Sequence, residues 1–297
     1  MKRTLLACIL LCTSLSVSAK DQLITLSAED AAALPGKTLA LTVHERPTFV
    51  AMSPSKAGFG LIGAFAMFSA GKKLIDENHV ADPAEIVRTN LANMLRDIDG
   101  MHLMTVDTTN TKAEKPAQIA AVHPEADYVL DVRSGGWSYA YFPMHWGLYW
   151  VGYSVQVQLV DVKSGRQVSN AACNASTHEN PNPPTGEHLI GNGAKLLKDV
   201  TAGLGWTCVQ LLAKDEFHAP VEKIVATPAE YVDPLAALAK AIAPVPVNAA
   251  PSSTAVPATV DASQNAPTAT NSVDPVPPAG PTAPAATPPV SSTKSSH

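Results

Sequence analysis

The sequence predicts an α/β (α+β) fold: a mixed sheet of about five strands with helices packed on one face, then a disordered C-terminal tail. Three observations carry this. Residues 152–161 (GYSVQVQLVD) alternate, with Tyr153, Val155, Val157 and Leu159 on one side and Ser154, Gln156 and Gln158 on the other. That is the period of an antiparallel strand covered on one face. Residues 82–98 place Val87, Leu91, Met94 and Ile98 at helical spacing behind Asp82-Pro83-Ala84-Glu85. A cap residue, a proline and a glutamate in that order mark a helix start. Beyond Ala219 the composition turns to Pro, Ala, Thr and Ser. From 244 to 297 no stretch can bury enough apolar surface to offset chain entropy.

In chain order, Lys2 and Arg3, the apolar run 5–17 and Val17-Ser18-Ala19 form the three parts of a secretory signal peptide, residues 1–19, cleaved near Ala19. Leu5-Leu6-Ala7-Cys8 is similar to a lipid-attachment box, but too few residues precede Cys8 to supply an apolar segment ahead of a cut. Ser27-Ala28-Glu29-Asp30 opens a short helix that Pro35-Gly36 stops, and 37–44 (KTLALTVH) alternates as the first strand. Residues 57–71 (AGFGLIGAFAMFSAG) hold no charge, are rich in small residues and lie between Lys56 and Lys72-Lys73. As a helix from Ser53-Pro54 this stretch reaches about 22 Å, too short to span a bilayer. It is either a core helix or a surface for self-association or membrane contact, with Gly60, Gly63, Ala64 and Ala70 allowing close helix approach.

Residues 101–106 predict a second strand, 116–122 a short helix, and 127–133, 152–161 and 167–173 a three-stranded meander. Lys163-Ser164-Gly165-Arg166 supplies the second turn, with a glycine for a positive φ. Residues 187–212 predict an amphipathic helix with Leu189, Leu196, Val200, Leu204, Cys208 and Leu211 on its apolar side, bent or closely packed at its glycines. The folded domain thus covers 20–218, residues 219–243 form short helices and linker, and 244–297 are the tail.

Once the leader is cleaved, Cys173 and Cys208 are the two cysteines that remain. In an oxidising compartment such a pair most simply forms a disulfide; two buried thiols are the alternative. The net charge of −5 is spread along the chain, so nothing points to a nucleic-acid partner.

The aromatic hairpin 136–152 concentrates Trp137, Tyr139, Tyr141, Phe142, Trp146, Tyr149 and Trp150 around Pro143 and Gly147. As an insertion between two strands it is expected to project past the sheet. Tyr and Trp suit places with one apolar and one wet side. With Phe59 and Phe65 from the apolar segment, these residues are the expected partner-binding set. The competing reading is that the rings cover the sheet's own core.

Catalytic chemistry is sparse. No phosphate loop, HExxH or GxSxG pattern is present. His178-Glu179 and His188 share one loop but lack tight metal-ligand spacing. His123 and His145 have no evident carboxylate partner. Ser134 beside Gly135-Gly136 is the one nucleophile candidate, and turn chemistry accounts for it better. The chain offers no catalytic residues, no metal ligands and no cofactor site.

The helix at 82–98 followed by a strand, then Glu125-Ala126-Asp127-Tyr128-Val129-Leu130 and Leu159-Val160-Asp161-Val162-Lys163-Ser164-Gly165, carries a family resemblance. It resembles the periplasmic α/β domain of the curli-export lipoprotein and the N-terminal domain of the Tol system's propeller protein. The resemblance implies a scaffold or partner-binding module with no catalytic residues to carry over. The glycine-rich apolar stretch, the aromatic hairpin and the proline-rich tail depart from that pattern. The expectation is a non-enzymatic, periplasmic or secreted envelope protein that binds a protein partner or itself and has a membrane surface as a further contact. A carrier enclosing a hydrophobic ligand and a metal-dependent hydrolase at the His178/His188 loop are the alternatives.

Overall fold

A computed structural model of the chain describes residues 23–242. The expected signal peptide, 1–19, and the expected tail, 244–297, lie outside the described residues. In order, the elements are α1 (Ala28–Ala32), β1 (Thr38–Leu41), β2 (Val43–His44), β3 (Val50–Ala51), α2 (Pro54–Ala57), α3 (Gly60–Asn78) and α4 (Ala84–Asp99). Then come β4 (His102–Leu103), β5 (Asn110–Thr111), α5 (Pro116–Val122), β6 (Tyr128–Phe142), β7 (His145–Asp161), β8 (Arg166–Ser176) and α6 (Gly186–Leu211). A π-helical turn, α7 (Ala229–Val232) and α8 (Pro234–Ile242) follow.

The mixed sheet is six-stranded in the order β4-β1-β6-β7-β8, and β3 adds to β6 beyond β1. β1 lies parallel to both β4 and β6, whereas β6, β7 and β8 form the antiparallel meander. Its second turn has Gly165 at φ 63°, as its sequence requires. The alternation in β7 sends Tyr153, Val155, Val157 and Leu159 into the main core, where Leu91, Leu95, Leu197 and Val200 of α4 and α6 meet them. α5 covers part of the opposite face, packing Ile119 and Ala120 on Val129 and Val160.

Several expectations shift. The strand expected at 101–106 is only His102–Leu103. Ser53 makes no side-chain cap bond at α2. Leu211 is exposed and not on the buried stripe of α6. As expected at its glycines, α6 is broken at 191–194, where Asn192, Gly193 and Ala194 take positive φ, and is closely packed at Gly203 and Gly205. Leu235 of α8 is buried, and the Tyr231 carbonyl of α7 lies where a Cβ on Gly203 would stand at 2.8 Å. The chain after Ala219 therefore packs back onto α6.

Cys173 of β8 and Cys208 of α6 form a disulfide with a Cα–Cα distance of 5.6 Å. It fastens the last strand to the helix that covers it.

Candidate functional site

The aromatic segment is not an insertion between strands. β6 and β7 run unbroken through it as one long hairpin, paired from Tyr128–Asp161 to Phe142–His145. A bulge between Ser134 and Gly136 changes which residues face the core. Below it Leu130 and Val132 point inward; above it the inward residues are Trp137 and Tyr139. One extra residue reverses the side-chain parity of everything beyond it.

Trp137 and Tyr139, expected on the partner surface, are therefore core residues at 2% and 8% exposure. Phe49 meets the Trp137 ring edge-on at 5.1 Å, and Trp137 Nε1 donates to the Pro47 carbonyl at 3.0 Å. Tyr139 packs edge-on against Tyr149 at 5.4 Å, and burial pushes both phenols above their usual pKa. Tyr149 is half-buried and fits where Gly186 has no side chain: a Cβ there would stand 3.1 Å from its ring. Tyr141 is half-buried too. On the other side of the hairpin, Phe142 and Trp150 are half-buried and both hold the ring of His178, at 5.1 and 5.4 Å. That histidine is engaged with rings, with Glu179 3.2 Å from its Nδ1. Only Trp146, at the turn, stands fully in solvent at 69% exposure, its Nε1 donating to the Pro143 carbonyl.

α3 supplies the second half of the surface. Gly63, Met67, Gly71 and Ile75 form its buried stripe. Two of the small residues are used internally, Gly71 against the Phe49 and Ala51 backbone and Gly63 against the Lys56 carbonyl, while Gly60 is exposed. Phe59, Leu61, Ile62, Phe65 and Phe68 face outward instead, with Leu61 at 81% and Phe65 at 74% exposure. A soluble helix ordinarily turns such residues inward. Leu61, Ile62, Phe68 and Met144 belong to this surface and were not singled out from the sequence. The uncharged run 57–71 was the signal, but helical period alone does not tell which side faces solvent.

The two halves reach the same end of the fold. β3 is parallel to β6, with Val50 beside Ser138 and Ala51 beside Tyr139. Arg46 bonds to Asp76 and to the Val80 carbonyl, whereas Gly71 meets Phe49 and Ala51. Later helix residues thus meet earlier chain, so α3 runs antiparallel to 46–51. From Gly71 back to Leu61 the helix extends about 15 Å past β3. From Tyr139 to Pro143 the hairpin extends about 13 Å in the same direction. Between Ser134 and Val160 there is no Asp, Glu, Lys or Arg, and between Pro47 and Ile75 the charged residues are Lys56, Lys72 and Lys73. Lys72 and Lys73 bridge to Asp76 and Glu77 one turn on.

Elsewhere, Ser134 lies in β6 at the bulge and not in a turn; its hydroxyl donates to Asp82 and lies 3.3 Å from the Tyr153 hydroxyl. Burial raises the Asp82 carboxyl pKa, against the opposing bonds from Ser134 and the Ala84 amide. A second polar pair was not foreseen: Asp131, fully buried, accepts from Thr42 and contacts His44 Nε2, while its Oδ2 has no hydrogen-bond partner among the described residues. His123 does have a carboxylate neighbour, Glu125 Oε1 at 3.3 Å. Among the described residues no three His, Cys, Asp or Glu converge as a metal site. A hollow of about 340 Å³ is lined by Leu23, Cys173, Leu211 and Glu216 and by no residue of α3 or the hairpin turn.

No family model and no curated protein matches the chain. Solved structures do. It is similar to the C-terminal domain of LpoB from Salmonella enterica, at 12% identity over 48% of this chain and 84% of that one, with a TM-score of 0.24. The hypothetical protein CT253 from Chlamydia trachomatis matches at 12% identity over 61% and 96%, with a TM-score of 0.29. Lipoprotein GNA1162 from Neisseria meningitidis matches at 17% identity over 52% and 90%, with a TM-score of 0.22. At these TM-scores the likenesses carry no functional argument.

Proposed function

We propose that this chain is a non-enzymatic, exported envelope protein, a binding or assembly factor that works through the apolar end formed by α3 and the hairpin turn. The observation that supports this reading is the outward face of α3. Leu61, Ile62 and Phe65 stand in solvent while the glycines of the same helix hold it to the body. Leaving such side chains wet forgoes roughly 1.5–3 kcal/mol each relative to burial, a cost that a partner surface removes. The leader-like N-terminus and the Cys173–Cys208 bridge agree with an oxidising compartment outside the cytoplasm.

Phe59, Phe65 and Trp146 retain the partner-binding role expected of them, and Trp150, Phe142, Tyr141 and Tyr149 act as its support. A photo-crosslinking side chain placed at Phe65 or Trp146 in the full chain should yield adducts in the producing cells' envelope fraction. The same probe at Val106, exposed but outside this surface, should not. Equal labelling at all three positions, or none, would sink the reading.

A further inference from the structure

The apolar end has features that select among occupants. Its large exposed side chains come from two separate elements, Phe59, Leu61, Ile62 and Phe65 around α3 and Met144 and Trp146 at the hairpin turn. Both groups extend past β3 toward the same end, and Trp146 lies within β7 itself. Between Pro47 and Ile75 every charged residue is a lysine, while Asp76 and Glu77 answer two of them and Glu179 stands beside the His178 ring that packs on Phe142 and Trp150. Lys56 stands at the start of the segment with no ion-pair partner among the described residues, and Lys72 and Lys73 stand where α3 turns from apolar to charged. No carboxylate lies between Pro47 and Ile75 or between Ser134 and Val160.

Exposed apolar side chains on one end of a helix, a tryptophan beside them and lysines at the border fit a membrane–water interface. β6 and β7 pair with each other up to the turn, and β3 pairs the outer edge of β6 only as far as Tyr139. Among the described residues no helix is long and apolar enough to cross a membrane. Contact would therefore be superficial, with α3 and the turn entering the headgroup layer.

We infer that the end formed by the first half of α3 and the β6–β7 turn docks on the surface of an anionic phospholipid bilayer. This rests on the reading of that end as the interaction surface and names its occupant. Phe65, Ile62 and Leu61 supply apolar burial, Trp146 sits at headgroup depth, and Lys56 meets lipid phosphate.

The test is partition of the purified full chain onto vesicles of phosphatidylglycerol and phosphatidylcholine, followed by sedimentation and tryptophan emission. The chain should bind, with a blue shift that Trp146→Phe removes. Phe65→Glu and Ile62→Glu should each lower the partition coefficient about tenfold or more, the loss expected for one buried large side chain. Val106→Glu should leave it unchanged. Lys56→Glu or removal of phosphatidylglycerol should weaken binding, more so at low salt. Phe65→Glu and Ile62→Glu are at solvent-exposed positions, and an unchanged melting curve checks that all four glutamate variants fold. Partition that is absent, or equal in Phe65→Glu and the unaltered chain, overturns the lipid inference. If the chain then self-associates and Phe65→Glu makes it monomeric, the interaction surface stands and its occupant is a second copy. If it is monomeric and unbound throughout, the lipid inference falls, and the crosslinking at Phe65 and Trp146 alone decides whether the interaction surface stands.

Discussion

A Cβ added to Gly71 would stand 1.8 Å from the carbonyl oxygen of Phe49. Helix and strand backbones are in direct contact there, and that contact fixes which side of α3 faces the protein. With Gly63, Met67 and Ile75 on the same stripe, the opposite side, with Leu61, Ile62 and Phe65, has no choice but solvent.

Gly71→Ala tests this contact. In a helix interior that change ordinarily gains up to about 1 kcal/mol. Here the added methyl meets backbone that cannot move aside, so a loss of about 2–4 kcal/mol is expected in urea unfolding. A neutral or stabilising result would mean α3 does not sit on β3 in this way.

The parity change at the bulge gives a second test. Trp137→Ala should cost about 3–5 kcal/mol, as a buried tryptophan does. Trp146→Ala should stay within about 0.5 kcal/mol, as exposed sites do. Equal losses would contradict the assignment of one ring to the core and the other to solvent.

The Cys173–Cys208 bridge closes a loop of 35 residues. In the chain-entropy model it stabilises the fold by about 3–4 kcal/mol. Reduction, or the double change to alanine, should lower the melting temperature accordingly. Non-reducing mass spectrometry should show no free thiol at either position.

Asp82 carries a pH dependence whose sign is set by burial. Its carboxyl pKa is raised in the folded chain, so the native state holds this proton more tightly than the unfolded one. The contribution from this group is greatest at pH below the unfolded carboxylate value and is lost as pH rises through the raised one. Asp82→Asn keeps an acceptor for the Ala84 amide and the Ser134 hydroxyl without the buried charge. It should be more stable than the native chain at neutral pH, with the difference shrinking on acidification. Denaturant midpoints measured from pH 3.5 to 7.5 would reveal the opposite trend if Asp82 were stabilising as a charge.

Much of the fold was legible because it depends on local rules. The alternation of Tyr153, Val155, Val157 and Leu159 survives in β7, the 82–98 stripe buries Val87, Leu91 and Met94, and Gly165 makes its turn. Regular period and turn chemistry need no knowledge of distant chain. The β4 strand was overestimated because a two-residue parallel pairing depends on what lies beside it. The apolar end was legible only in part. Phe59, Phe65 and Trp146 were singled out on composition, while Trp137 and Tyr139 were placed on the surface by the same logic and proved to be core.

The sequence by itself determined the mixed sheet, the long hairpin's aromatic content, the helix starts at Ala28, Ala84 and Pro116 and the candidate cysteine pair, since each follows from side-chain period, backbone preference or count. Only the tertiary structure decided which aromatic rings are buried and which side of α3 is bare. The first turns on a single extra residue between Ser134 and Gly136, the second on a glycine close enough to touch the Phe49 backbone. Both are relations between segments far apart in the chain, and hydrophobicity, being non-directional, does not say which partner a greasy side chain will find.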